Sequence, residues 1–125
     1  MTRINVAILP SELNDKHLIA EHREIKRIPN TIKTGKAVID NIPTLFTLGK
    51  GHVKFFYNKL KYLHERYDAI HRECMKRGFN VTYYGESFKD LPTELYNDYI
   101  ETVRDRAILL ERLIEKDRNY GKIRL

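Results

Sequence analysis

The chain has 125 residues, enough for one domain with a modest core and too few for two independently folding units. Hydrophobic residues make up 42% of it and charged residues 32%, which excludes wholesale disorder. Lys and Arg exceed Asp and Glu to leave a net charge of +6, which favours a polyanionic partner such as nucleic acid. A basic protein merely kept soluble by its charges would show the same balance.

Cys74 is the only cysteine, so neither an intramolecular disulfide nor a cysteine-rich zinc site can form, and a reducing, cytoplasmic setting is expected. No stretch approaches the ~18 to 20 uninterrupted apolar residues of a membrane span, and no signal-type apolar run follows Met1-Thr2-Arg3-Ile4-Asn5. A soluble chain, processed at most at Met1 and without a membrane partner, is therefore expected.

The first predicted helix starts after Pro10, with Ser11 or Asn14 as N-cap, and runs to about Ile28, where Pro29-Asn30 disturbs it. Leu13, Leu18 and Ile25 supply its core side. His17, Ala20, Glu24 and Arg27 fall along a second, polar side at steps of three, four and three. The clearest periodicity links Val53, Phe56, Leu60, Leu63, Tyr67, Ile70 and Cys74 on one face of a central helix. Gly49-Lys50-Gly51-His52 precedes it as a turn, and Lys76-Arg77-Gly78 closes it with cations and a left-handed cap. Val103, Ala107, Leu110 and Ile114 suggest a third helix within 98–116. The connections 31–49 and 80–97 contain Gly35, Pro43, Gly85 and Pro92 and read as loops with short helical turns. The fold expected is all-α, a compact single domain over residues 1–125 with three main helices and irregular loops.

Several chemistries can be set aside. Gly49-Lys50-Gly51 lacks the spacing and the Lys-Ser/Thr ending of a phosphate-binding loop. His17, His22, His52, His64 and His71 form no His-Glu-x-x-His pattern and read as solvated or core-edge residues, so no metal is expected. Cys74 lies on an apolar seam and reads as an inert buried thiol. In Phe55-Phe56-Tyr57, packing is the default over base stacking. Lys50, Lys54, Lys59, Lys61, Arg66, Arg72, Lys76 and Arg77 outnumber the acids between positions 50 and 77, as on a phosphate-facing surface or a solvated helix. Glu24, flanked by Arg23 and Arg27 and two turns after His17, forms either a salt bridge or a catalytic carboxylate among cations.

These features occur together in a recognisable arrangement. Met1-Thr2-Arg3-Ile4-Asn5, Ser11-Glu12-Leu13, His17-Leu18 and Ala20-Glu21-His22-Arg23-Glu24 resemble the pyrimidine-dimer DNA glycosylase and abasic-site lyase family, also called phage endonuclease V. The resemblance resumes at Leu48-Gly49-Lys50-Gly51-His52-Val53, Phe55-Phe56-Tyr57-Asn58-Lys59-Leu60 and Lys76-Arg77-Gly78-Phe79-Asn80. It continues weakly through Asp98-Tyr99-Ile100, Arg112-Leu113 and Glu115-Lys116, with a last echo in Tyr120-Gly121-Lys122.

The resemblance implies an all-helical domain with its amino terminus pinned between helices, beside the glutamate of the first helix. It implies that Met1 is removed and that the α-amine of Thr2 is the nucleophile, with no cofactor. Glu24 then matches the essential carboxylate, Arg3, Arg23 and Arg27 the cations that contact DNA around the lesion, and His17 a site histidine. Arg112 and Lys116 align with basic positions of the third helix and are expected to bind phosphate. The partner implied is double-stranded DNA carrying a lesion, engaged by a monomer that kinks the duplex and extrudes a base of the opposite strand.

Two departures stand out: His22 replaces an expected tyrosine, and the aromatic-rich carboxyl tail is reduced to Asn119-Tyr120-Gly121-Lys122 and Ile123-Arg124-Leu125. In the family that tail helps grip DNA near the dimer, so its reduction bears on lesion affinity more than on the chemistry of the Thr2 amine. Two other functions fit the sequence: a glycosylase or lyase for abasic sites or another distorting lesion, and a DNA-binding module without a working active site.

Overall fold

The amino-terminal segment organises the molecule although it belongs to no helix. In the computed structural model, which describes residues 2–119, Ile4, Val6 and Ile8 of this segment are fully buried in the core. A buried segment outside helix and sheet must find partners for its backbone groups elsewhere. Side chains from distant elements supply them. The Arg3 N–H donates to Glu24 Oε1 at 3.0 Å, the Ile4 N–H to His52 Nε2 at 3.0 Å and the Ala7 N–H to Glu101 Oε2 at 2.8 Å. The Ala7 carbonyl accepts from Arg106 Nη1 at 3.0 Å, and the Ile8 carbonyl from Arg66 Nη1 at 2.9 Å.

Helix α1 spans Asp15–Glu24. Of the two N-caps read from the sequence, Asn14 is the one used: its Oδ1 accepts from the His17 N–H at 2.9 Å. The helix stops earlier than expected. A turn at Ile25 and Lys26 leads into α2, Arg27–Lys33, and Pro29 sits at the third position of α2 instead of ending α1. The first-turn amides of a helix have no intrahelical acceptor, so proline costs no hydrogen bond there.

The expected central helix is broken into α3, His52–Phe55, and α4, Leu60–Lys76. Phe55 and Phe56 are both completely buried and pack edge-on, with ring centroids 5.1 Å apart. Adjacent residues on a straight helix point about 100° apart, and ending α3 after Phe55 lets both rings enter the core. The α4 face holds as read: Leu60, Leu63, Tyr67, Ile70 and Cys74 are all buried. Its end is a Schellman motif, with Gly78 at φ +81°, the Gly78 N–H on the Met75 carbonyl and the Phe79 N–H on the Cys74 carbonyl. Single 3-10 turns at Pro10–Glu12, Gly85–Phe88 and Thr93–Leu95 interrupt the loops.

Helix α5, Val103–Asn119, opens on a capping box in which the Asp105 N–H donates to Thr102 Oγ1 and the Thr102 N–H donates to Asp105 Oδ2. Its orientation corrects the sequence reading. Val103 is 88% exposed, and Ala107 and Leu110 face solvent too, whereas Asp105 and Leu109 are buried and Ile108 and Leu113 pack on the core. The inward side therefore runs through Asp105, Leu109, Arg112 and Lys116, which puts two cations next to the amino-terminal segment. Three helices have ten or more residues and no strand occurs among the described residues, so the fold is all-α. No described helix is long and apolar enough to cross a membrane. The tail at 120–125 lies outside the described residues.

Candidate active site

The polar side of α1 forms one wall of a small cavity. His17, Ala20, Glu21 and Glu24 line it together with Arg3 and Asn5 from the amino-terminal segment and Arg112, Leu113 and Lys116 from α5. Its volume is about 20 Å³, room for little more than one water. Beside it opens a cleft of about 340 Å³, lined by Thr2, Arg3, Leu48, Gly49, His52, Val53, Arg112 and Lys116. Arg3, Arg112 and Lys116 belong to both spaces, so a group held by these cations would lie next to Thr2.

The bond from the Arg3 N–H to Glu24 fixes how the terminus meets the carboxylate. Covalent geometry keeps the α-nitrogen of Thr2 within about 4 Å of that amide. The carboxylate is only 12% exposed, and its Oε2 lies 3.6 Å from Arg23 Nη2, an ion pair too long for a hydrogen bond. With respect to the described residues, Glu24 therefore keeps acceptor capacity and lines the cavity.

Positive charge dominates the remaining wall. Burial pushes the Arg112 guanidinium below its ordinary pKa, and repulsion from Arg3 pushes the same way while Glu24 opposes it. Nε of Arg3 is buried and meets no acceptor among the described residues. A buried donor without a partner is costly.

Glu21, one turn before Glu24, is committed elsewhere. Arg66 Nε bonds its Oε2, Arg66 Nη2 bonds its Oε1 at 3.0 Å, and Asn5 Nδ2 donates to Oε1 at 2.7 Å. All three residues are buried. Sequence reading missed this triad, although its signal is present: Arg66 lies among Leu63, Tyr67 and Ile70 on the apolar face of α4, and Glu21 lies between Leu18 and Ile25 on α1. Charges at core positions of two helices point to a mutual pair.

Of the residues singled out by sequence, Thr2, Arg3, His17, Glu24, Arg112 and Lys116 converge. Arg23 and Arg27 do not line the cavity or the cleft; both are exposed on the outer side of α1 and at the start of α2. The basic run at 50–77 is not one phosphate-facing surface. Arg66 is in the core, Arg77 is bound to Asp15, Glu73 and the Leu13 carbonyl, and Lys59 donates to the Phe55 carbonyl. Among the described residues no cluster of His, Cys, Asp and Glu could hold a metal ion.

His22 lies behind the site, with Nε2 at 3.1 Å from His71 Nδ1 and 3.2 Å from the Tyr67 hydroxyl. Burial lowers its pKa to about 4, so it is uncharged at neutral pH. The departure from tyrosine is thus a core substitution and not a change in the cavity wall. A protein-family model described as pyrimidine dimer DNA glycosylase matches residues 1–84. The match takes in the amino-terminal segment and α1 through α4, and stops before the α5 cations.

Proposed function

The chain belongs to the pyrimidine dimer DNA glycosylase family, and we propose that it excises the base at ultraviolet-induced cyclobutane dimers through an imine on the Thr2 α-amine, then cleaves the strand. The observation that carries this reading is the Arg3 N–H to Glu24 bond, which tethers the terminus to a largely buried carboxylate that lines a cationic cavity. An α-amine titrates near 7.7–8.0, roughly two to three units below lysine, so an appreciable fraction is nucleophilic at neutral pH.

With Met1 removed, the neutral amine attacks C1′ of the damaged nucleotide. The C1′–N bond to the base breaks, the base leaves with the electron pair and takes up a proton, and an iminium links Thr2 to the opened sugar. Glu24 stabilises the cationic sugar and assists proton transfer. Glu24 or water then takes up a C2′ proton, the C–H electrons delocalise into the iminium, and the C3′–O bond breaks to expel the 3′ phosphate by β-elimination, which joins lyase to glycosylase chemistry. Arg3, Arg112 and Lys116 hold phosphate near the lesion. Arg23 and Arg27 contact the duplex from outside the cavity, and His17 lies on the wall between.

The test is borohydride trapping on a duplex with one cyclobutane thymine dimer, using protein whose free Thr2 terminus is confirmed by intact mass. A covalent adduct that disappears when the amine is blocked is the expected result. An adduct on an abasic duplex but not on the dimer reassigns the substrate and keeps the lyase step. No adduct on either, with salt-dependent DNA binding retained, overturns the enzymatic reading in favour of a binding module.

A further inference from the structure

His52 is the least explained member of the cleft. It comes from the turn Gly49-Lys50-Gly51-His52, in which Gly49 and Gly51 have φ of +67° and +89° and the His52 N–H donates to the Gly49 carbonyl. Only glycine takes such angles without strain, and the result is an inward-facing imidazole, buried edge-on against Phe46 and Phe56.

Both ring nitrogens are engaged, and their roles follow from their partners. Nε2 must accept, because the group 3.0 Å away is the Ile4 N–H. The proton therefore sits on Nδ1 and is donated to the Thr47 carbonyl at 3.0 Å. Burial, the main influence on the ring's pKa, favours this uncharged state. The ring ties the turn before α3 to the fourth residue of the chain, 48 positions away.

We infer that His52 is a positioning residue for the amine: Nε2 on the Ile4 N–H and Glu24 on the Arg3 N–H grip consecutive amides and so fix where Thr2 enters the cleft. Two adjacent amides held by side chains from two elements leave the preceding residue little freedom but its own torsions. Near-attack geometry is sensitive to such restraint, and a misplacement of ~1 Å is enough to cost about 100-fold in rate. The inference rests on the amine chemistry proposed above.

Two isosteric substitutions separate the two bonds of the ring. Glutamine reaches the region of Nε2 and can accept from Ile4, whereas asparagine reaches only the region of Nδ1 and can donate to Thr47. Full-length protein with a free Thr2 is compared by single-turnover borohydride trapping on a duplex with one abasic site, by Kd for that duplex, and by hydrogen exchange of the Ile4 amide. His52→Gln is expected to trap near the wild-type rate, and His52→Asn about 100-fold more slowly at unchanged Kd, with faster Ile4 exchange.

Equal trapping by His52→Asn and wild type overturns the inference, as does a loss of rate matched by an equal loss of affinity. If His52→Asn does not fold, His52→Gln decides: wild-type trapping after Ile4 protection is lost overturns the role. If the wild type itself forms no adduct, the imine chemistry fails, while Ile4 exchange still reports whether His52 holds the segment.

Discussion

Glu21 and Glu24 leave the same helix one turn apart and line the same cavity, yet their surroundings differ in kind. Glu21 is saturated: a buried arginine meets it with two nitrogens and Asn5 adds a third donor. Among the described residues, Glu24 accepts one backbone N–H and stands near a half-exposed arginine. The first arrangement fastens the amino-terminal segment to the α1–α4 core, and Arg66 extends it to the Ile8 carbonyl. The second leaves a carboxylate with acceptor capacity to spare beside the cations of the cavity wall. A charged group that holds a fold together is surrounded by partners, whereas one that does chemistry must keep something back.

The sharpest test of that contrast is removal of each charge at constant shape. Glu24→Gln is expected to lower turnover on dimer-containing DNA by about 100- to 10,000-fold, the usual range for a lost acid-base or electrostatic group. DNA affinity and melting temperature should stay close to wild type. Unchanged turnover would remove Glu24 from the chemistry.

Glu21→Gln is expected to do the reverse. It strands a buried guanidinium and should cost about 3–5 kcal/mol of folding stability by denaturant titration. The variant that remains folded should keep its single-turnover rate within a few-fold. Adding Arg66→Met should recover part of the loss, because the stranded buried charge is then removed. Equal destabilisation by Glu24→Gln and Glu21→Gln would erase the distinction.

What could be read in advance divides along the same line. The α4 face, the Asn14 cap and the Gly78 terminus follow local rules, and all three appear as expected. Helix α5 was misoriented because its inward side carries Asp105, Arg112 and Lys116, while Val103, Ala107 and Leu110 offer a tidy apolar stripe to solvent. A site inverts the inside-outside pattern where it needs charge within, and periodicity alone then selects the wrong face. The break at 56–59 was invisible because α3 and α4 face one core and the spacing runs across the gap. The amino-terminal segment left the least trace: its partners, Glu24, His52, Glu101 and Arg66, are brought to it only by tertiary folding. The candidate site residues were singled out through family resemblance more than through spacing. His17, Ala20 and Glu24 share a face by periodicity, but nothing local joins them to Thr2 or Arg112.

The smallest expected effect concerns the α5 cations, where function and stability should part company. Arg112 is held among like charges, with burial and Arg3 both disfavouring its cation. Replacing it by glutamine removes that repulsion, so Arg112→Gln should leave the melting temperature unchanged or raise it, a pattern found where a site is kept at some cost to the fold. Binding should show the opposite. If Arg112 and Lys116 each neutralise one phosphate, each glutamine variant should reduce the slope of log K against log salt by about one, uniformly over DNA sequences. The double variant should lose about two, with little change in the trapping rate at saturating DNA. A slope identical to wild type would place the phosphate contacts elsewhere, with the exposed Arg23 and Arg27 next to be tested. A marked fall in melting temperature would instead make Arg112 part of the structural framework, like Arg66, and would move the boundary between the two carboxylates' surroundings out to α5.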